Sequence, residues 1–201
     1  MTPTPEQLAI VEAARDTTDN LLVSALAGAA KTSTLVLVAQ ALPDIEILTL
    51  AFNKRIALEM QERLPRNCKA MTLNSLGHRV WSEATGRRLR IEPSKTFDLV
   101  SAAVNDLPAS ERRGLEFAEL MRTIDFGKAC GYIPTGAYEK GKPLMNDDEF
   151  FGHLDDDLSG TEIDIVRAVT LASLKQAFEG LCDYNDQILM PTVFHGAFPR
   201  Y

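Results

Sequence analysis

The sequence is poor in residues that build metal sites and disulfide frameworks. Its three cysteines, Cys68, Cys130 and Cys182, include no C-x-x-C pair, and its three histidines have no partners at metal-ligand spacing. The sequence therefore predicts neither a zinc site nor a disulfide framework. We expect the cysteines to be buried free thiols.

Long apolar runs are also missing. No window approaches the roughly 18 apolar residues of a membrane span, and the N-terminus lacks the basic and apolar regions of a signal peptide. We therefore expect a cytoplasmic protein without a membrane partner. With 201 residues, of which 45% are hydrophobic, the chain is long enough to bury a sizeable core.

The net charge of −7 is distributed unevenly along the chain. Residues 144–164 carry eight acidic residues and no lysine or arginine, which favours a solvated loop. Residues 54–95 carry ten basic residues against four acidic ones, a local charge of +6. This basic segment indicates either a surface that faces a polyanion or an ordinary solvated face.

Apolar strands alternate with amphipathic helices in the first part of the chain. Helices are predicted over 5–16, 31–42 and 53–64, and strands over 21–25, 45–52 and 69–73. This alternation is typical of a parallel α/β sheet. From residue 96 onward the apolar spacing predicts helices, with loops over 127–160. Trp81 is expected to lie in the core, because it stands at helical spacing from other apolar residues.

A loop of small residues joins the first predicted strand to the helix that follows it. Its sequence, SALAGAAKTSTL, places Lys31 and Thr32 as in the phosphate-binding pattern G-x-x-x-x-G-K-[ST]. Gly28 lies inside the loop, but Ala25 and Ala30 occupy the two glycine positions. Alanine keeps the phosphate-binding N–H groups if its φ is negative. The loop predicts a phosphate site, and a small-residue turn without a ligand is the alternative.

Five segments, read in order, resemble the N-terminal motifs of the UvrD/Rep-like superfamily 1 DNA helicases. They are TPEQLAIVEA, SALAGAAKTST, ILTLAFNKRIALEM, MTLNSLGHRVW and DYNDQILMP, and they lie towards both ends of the chain. The resemblance implies an α/β fold, namely an incomplete RecA-like P-loop parallel sheet with a helical insertion subdomain. It places the first part of the core at 1–85, the insertion at 86–182 and a return to the core at 183–201. In that family the first glycine position is commonly alanine, so only Ala30 departs from the pattern.

The resemblance also implies which residues bind ligands. Gln7 matches the glutamine that recognises adenine through its amide, and Lys31 and Thr32 match the residues that bind phosphate and Mg²⁺. The implied site for ATP and Mg²⁺ comprises Gln7, Gly28, Ala29, Ala30, Lys31, Thr32 and Ser33, with Thr32 as the Mg²⁺ ligand. The implied site for single-stranded DNA comprises Phe52, Asn53, Lys54, Thr72, Asn74 and Ser75. Leu73 and Asn74 depart from the family's T-F-H-S motif.

No catalytic carboxylate is predicted within the chain. ATP hydrolysis requires an apolar strand that ends in Asp-Glu, whereas DYND at 183–186 follows a segment with helical spacing. In the helicases a similar segment precedes that strand. We therefore expect the N-terminal ATP- and single-stranded-DNA-binding part of an ATP-dependent DNA helicase, not catalytically competent alone.

Such a chain is expected either to aggregate alone or to pair with a C-terminal helicase fragment or another partner chain, because its predicted first strand exposes an apolar edge. Two alternatives remain open. One is another P-loop phosphotransferase, such as a small-molecule kinase. The other is a non-catalytic nucleotide- or DNA-binding or regulatory module.

Overall fold

A computed structural model describes residues 2–138, 141–154 and 158–199. These residues form a mixed α/β structure with two small parallel sheets, and they divide into two compact units. The first unit holds the described residues up to Leu73 together with Pro199, and the second holds Asn74–Phe198. Parts of the predicted loop 127–160 and of the acidic segment 144–164 lie outside the described residues, at 139–140 and 155–157.

The first unit combines helices with a two-stranded parallel sheet. Its elements are α1 (Pro5–Asp16), α2 (Lys31–Ala41), β1 (Ile47–Ala51), α3 (Lys54–Arg63) and β2 (Cys68–Thr72). The strands pair in parallel from Ile47↔Cys68 to Ala51↔Thr72, and α3 connects them along the chain. These bounds confirm the three helices and two of the three strands that were predicted here, to within two residues.

Local hydrogen bonds fix where α1 and α3 begin. The Thr4 side chain accepts from the Gln7 backbone N–H and Gln7 Oε1 accepts from the Thr4 N–H, which is a capping box. Asn53 Oδ1 accepts from the Ile56 N–H and caps α3 in the same way. Ala57 and Met60 of α3 then bury their side chains in one apolar cluster with Ala51 of β1.

The predicted strand over 21–25 is wrong. Residues 21–26 have no strand pairing, and Leu22 is 98% exposed. A strand requires a backbone partner, but the two strands of the described first unit pair only with each other. The apolar pattern therefore predicts a strand whose partner the described residues do not supply.

The second unit is mainly helical. Its elements are α4 (Leu73–Thr85, of which Leu73 belongs to the first unit), β3 (Arg90–Ile91), α5 (Lys95–Asn105), α6 (Phe117–Cys130), α7 (Asp147–Gly152), α8 (Gly160–Phe178), β4 (Leu181–Cys182) and α9 (Asp186–Val193). The short strands β3 and β4 pair in parallel. The helical prediction from residue 96 is confirmed, but the predicted loop 127–160 contains the end of α6 and all of α7. A capping box between Asn146 and Glu149 begins α7, and the buried Phe150 anchors it.

Two apolar clusters form the core of the second unit. One joins α5, α6 and α8 around Val100, Leu120 and Val166. The other joins α4, α8 and α9 around Trp81, whose Nε1–H donates to the Ala177 carbonyl at 3.1 Å. Trp81 is 2% exposed, so its predicted place in the core is confirmed.

The cysteines are free, as predicted. Cys68 and Cys182 are buried, whereas Cys130 is only partly buried. Burial raises the pKa of the Cys182 thiol to about 12. That thiol is therefore protonated and unreactive at neutral pH.

Candidate phosphate-binding site

Two residues of the small-residue loop have a left-handed backbone conformation just before α2. Gly28 has a φ of +81°, and Ala30 has a φ of 52° and a ψ of 33°. A Cβ added at Gly28 would meet no atom within 4 Å, so the loop backbone is open to a ligand on that side. Ala30 therefore does not meet the condition of a negative φ that was set for an alanine at this position, because its backbone has the left-handed conformation that favours glycine.

Lys31 places its charge against this loop. Its Nζ donates to the Ala25 carbonyl at 3.1 Å and to the Leu26 carbonyl at 2.9 Å. Lys31 is also the first residue of α2, where unpaired N–H groups and the helix dipole favour an anion. Two sources of positive potential thus coincide at the loop.

The neighbouring hydroxyl groups differ in their surroundings. Thr32 is half-buried in the first turn of α2. The Ser33 Oγ accepts a hydrogen bond from Arg63 Nη2 at 2.9 Å, which ties the start of α2 to the end of α3. Of the two, Thr32 follows the lysine directly, as the pattern for a Mg²⁺ ligand requires.

Gln7 faces α2 from α1. Its Nε2 donates to Thr34 Oγ1 at 3.0 Å, while its Oε1 accepts from the Thr4 N–H. A glutamine amide offers two donor hydrogens and two acceptor lone pairs. One donor and one acceptor therefore remain for a ligand, and both hydrogen bonds hold the amide in place.

A cavity of about 740 Å³ brings Gln7 together with the loop and Lys31, whereas Thr32 and Ser33 are not among the described residues that line it. The residues that line it include Gln7, Thr34 and two stretches of the loop, Ser24 to Ala25 and Gly28 to Lys31. Its size falls within the range of roughly 300–1,000 Å³ that small-molecule sites occupy. A triphosphate nucleotide fits this donor set, because Lys31, the helix start and the open backbone at Gly28 all favour phosphate.

The residues predicted to bind DNA begin at the carboxyl end of β1. Phe52 is 95% exposed there, and Lys54 is exposed at the first position of α3. Ala51 pairs with Thr72, so the residues that follow β1 lie beside the end of β2. Asn53 faces its own helix as the cap of α3. In the first unit the structure therefore brings Phe52, Lys54 and Thr72 to one edge of the sheet.

Asn74 and Ser75 lie in the second unit, on α4. The Asn74 Nδ2 donates to the Tyr184 carbonyl at 2.7 Å, which joins α4 to the turn before α9. Ser75 is exposed. The basic segment 54–95 is likewise divided between the units, and Lys95 at its end is only 2% exposed. Lys95 therefore belongs neither to a polyanion-binding face nor to a solvated one, so both interpretations of the segment are wrong for this residue.

Sequence reasoning missed a buried charge network in the second unit. Lys95, Lys128, Asp183 and Asp186 are each at most 5% exposed. Lys95 Nζ donates to Asp186 Oδ2 at 2.6 Å and to the carbonyls of Ser173 and Leu181. Two lysines thus face two aspartates, and burial lowers the pKa of Lys95 although the Asp186 carboxylate opposes the shift.

Lys128 joins the two aspartates. Its Nζ donates to Asp186 Oδ1 at 3.0 Å, to Asp183 Oδ2 and to Thr96 Oγ1. Burial alone would lower the pKa of Lys128, but the carboxylates of Asp186 and Asp183 hold it above its ordinary value. Burial would raise the pKa of Asp183, but Lys128 holds it below its ordinary value. Both groups are therefore charged at neutral pH.

Two sequence signals could have revealed this network. Asp183 and Asp186 each accept a hydrogen bond from the other's backbone N–H across the turn that precedes α9, as Asp side chains commonly do in turns. Lys128 follows Ile124 and Leu120 at four-residue spacing, which places it on the buried face of α6. A lysine on an apolar face predicts a buried partner of opposite charge.

Comparison with protein-family models, curated proteins and solved structures finds no match to this chain. No helix in the described part of the chain has the length and apolar character to cross a bilayer. Within the same residues, no cluster of three or more His, Cys, Asp or Glu side chains could hold a metal ion. The functional assignment therefore rests on the phosphate loop, its cavity and the exposed edge of the sheet.

Proposed function

We propose that the first unit binds ATP with Mg²⁺ at the loop before α2. The observation that carries this proposal is the Lys31 ammonium, held against the loop carbonyls at the start of α2 and at the wall of the cavity that Gln7 also lines. In this proposal the unit is the N-terminal ATP- and single-stranded-DNA-binding part of a UvrD/Rep-like DNA helicase with a RecA-like sheet. The parallel pairing of β1 and β2 supports such a sheet.

Each residue of the loop has a distinct chemical role in this proposal. Lys31 neutralises phosphate charge, and the N–H groups from Ala30 to Ser33 donate to phosphate oxygens. The Ala29 N–H instead donates to the Leu26 carbonyl within the loop. The Thr32 hydroxyl is the protein ligand of Mg²⁺, which keeps most of its other positions for phosphate and water. Gln7 offers its remaining donor and acceptor to the edge of adenine. Bound ATP would supply the phosphoryl group for hydrolysis.

The edge of the sheet after β1 and β2 supplies the proposed DNA contacts. Phe52 offers an exposed ring for base stacking, and Lys54 offers a cation for the backbone, which are the two components that strand binding requires. Thr72 completes the proposed set in the first unit, whereas Asn74 and Ser75 belong to the second unit and are not assigned to it. We assign no catalytic carboxylate, and we propose that a C-terminal helicase fragment or another partner chain completes the site. The exposed apolar segment 21–26 supports such a partner.

A DNA-binding titration tests this proposal. The change in anisotropy of a labelled oligothymidylate is followed with and without ATP and Mg²⁺. We expect Phe52→Ala to weaken binding about tenfold, since one stacked base contributes about 1–3 kcal/mol. Lys54→Ala should also weaken binding and should reduce its salt dependence, since a contact to the phosphate backbone is lost. Lys31→Ala should bind DNA like the wild type but lose the response to nucleotide.

Two exposed residues of the same unit provide matched controls. Leu58→Ala removes an exposed apolar side chain and Lys69→Ala an exposed cation, and neither should change DNA binding. Wild-type affinity in both the Phe52 and Lys54 variants would overturn the DNA contact. ATP binding without any DNA binding would favour the phosphotransferase alternative. A wild-type DNA affinity that is the same with and without ATP would favour the non-catalytic module.

A further inference from the structure

The second unit contains a cavity of about 1000 Å³, which is lined by residues of this unit alone. Four aromatic side chains line it, namely Trp81, Tyr138, Phe178 and Phe194. Tyr138 stacks on Phe178 at a centroid distance of 5.3 Å and meets Phe194 edge-on at 5.4 Å. Tyr138, Phe178 and Phe194 are only partly buried, so the cavity offers aromatic surface to a ligand.

A strained turn forms one wall of this cavity. His195 has a φ of 57°, a left-handed conformation that is strained for a residue with a Cβ. The next residue explains why the strain persists. A Cβ at Gly196 would lie 2.5 Å from Val80 Cγ1, and the Gly196 N–H donates to the Pro191 carbonyl at 2.7 Å. These contacts fix the position of Gly196 and thereby keep the exposed His195 at the cavity wall.

The charge at the cavity decides which ligand class fits. Arg87 lines it and is exposed, and none of the described residues that line it is acidic. Aromatic cages for cations such as quaternary ammonium groups gain from nearby carboxylates, whereas an arginine repels such ligands. An aromatic ligand that carries negative charge satisfies both the rings and the guanidinium.

We propose that this cavity binds a nucleobase that carries a phosphate group. The base lies against the aromatic rings, and Arg87 pairs with the phosphate, with His195 as a second donor. The same chemistry is presented by a free mononucleotide and by one residue of a single strand. This site is separate from the loop before α2, and its assignment does not depend on ATP binding there.

Quenching of Trp81 fluorescence tests this inference directly, because Trp81 is the only tryptophan and lines the cavity. The titration uses the full chain with Lys31→Ala and Phe52→Ala, which remove the loop lysine and the proposed stacking ring of the first unit. The ligand is thymidine monophosphate or a short oligothymidylate. We expect saturable quenching. Arg87→Ala should weaken binding about fivefold or more, because a charge-assisted hydrogen bond is lost. Arg113→Ala, an exposed arginine of the same unit, should change nothing.

The two ligands distinguish the source of the nucleobase. Equal affinity for both supports a free nucleotide, and clearly tighter binding of the oligothymidylate supports a single strand. Absence of quenching by either ligand overturns the inference. Equal affinity in Arg87→Ala and Arg113→Ala, or quenching by choline instead, overturns it as well. Arg87 is exposed, so its replacement leaves the fold intact and the outcome remains interpretable.

Discussion

Ala30, the last residue of the small-residue loop before α2, has a strained backbone conformation. Its left-handed backbone costs a residue with a Cβ about 1–2 kcal/mol, whereas glycine adopts it freely. The sequence could identify Lys31 and Thr32 as candidate ligands, because their spacing is local. It could not give the φ of Ala30, because the turn is set by the surrounding loop and helix.

Replacing Ala30 by glycine should therefore stabilise the chain. We expect Ala30→Gly to raise the free energy of unfolding of the first unit by about 1 kcal/mol, since relief of strain exceeds the added freedom of the unfolded chain. Urea unfolding followed by circular dichroism measures this. Ala29→Gly is the control, because Ala29 has no positive φ, and it should be neutral or destabilising. Equal effects of the two variants would contradict the strain.

Lys128 is the residue on which the buried charge network depends most. We expect Lys128→Met to lower the free energy of unfolding of the second unit by about 3–5 kcal/mol, because Asp183 and Asp186 remain buried without it. Arg122→Ala lies on the same helix and removes an exposed ion pair with Glu119, so it should cost less than about 1 kcal/mol. Similar losses in both variants would refute the role of burial.

The same network predicts a loss of stability in acid. The pKa of Asp183 is lower in the folded chain than its ordinary value, so folding favours the charged carboxylate. Its contribution is present above about pH 4 and is lost as the pH falls through the folded pKa. Unfolding free energies measured between about pH 6 and pH 3 should fall more steeply in the wild type than in Asp183→Asn. Parallel profiles would contradict the assignment.

Helix α4 packs so closely on the start of α9 that no side chain fits between them at Gly77. A Cβ at Gly77 would lie 1.9 Å from the Gln187 carbonyl oxygen. We therefore expect Gly77→Ala to destabilise the second unit by several kcal/mol, roughly 3 or more, despite alanine's helix propensity. Gly160→Ala, at the open first position of α8, should not destabilise it. Thermal unfolding of both variants separates the two effects, and an unchanged midpoint for Gly77→Ala would contradict the close contact.

Elements with local signals were predictable, and elements that need distant partners were not. The capping residues Thr4 and Asn53 and the apolar spacing of α1 and α3 are local, and these helices were predicted almost to the residue. The segment 21–25 has the composition of a strand but no partner in the described residues. Helix α7 was missed because Gly, Pro and Asp around it outweighed its capping box.

The two units of the chain differ in the size of the apolar side chains that they bury. In the second unit, large side chains such as Tyr132, Phe150 and Trp81 are buried, whereas the buried apolar cluster of the first unit is Ala51, Ala57 and Met60. Leu22, Leu26 and Phe52 of the first unit are at least 85% exposed. Two-stranded sheets are marginal alone, so the predicted partner chain would bind to this unit.

The network in the second unit shows the limit of sequence reasoning at this scale. Lys95 and Asp186 are separated by 91 positions, yet their charged atoms lie 2.6 Å apart. The basic segment 54–95 likewise predicts a single surface, although the chain divides it between two units and buries Lys95. Charge counted along a sequence does not show which charges pair with one another in the folded chain.

Calorimetric titration of the purified chain with ATP in the presence of Mg²⁺ is the decisive test of the proposed nucleotide site. We expect saturable binding that is lost in Lys31→Ala and retained in Lys69→Ala, an exposed lysine of the same unit. Loss of the Lys31 contact should weaken binding at least about tenfold. Equal binding by Lys31→Ala and the wild type, or no binding by any of the three proteins, would contradict the claim.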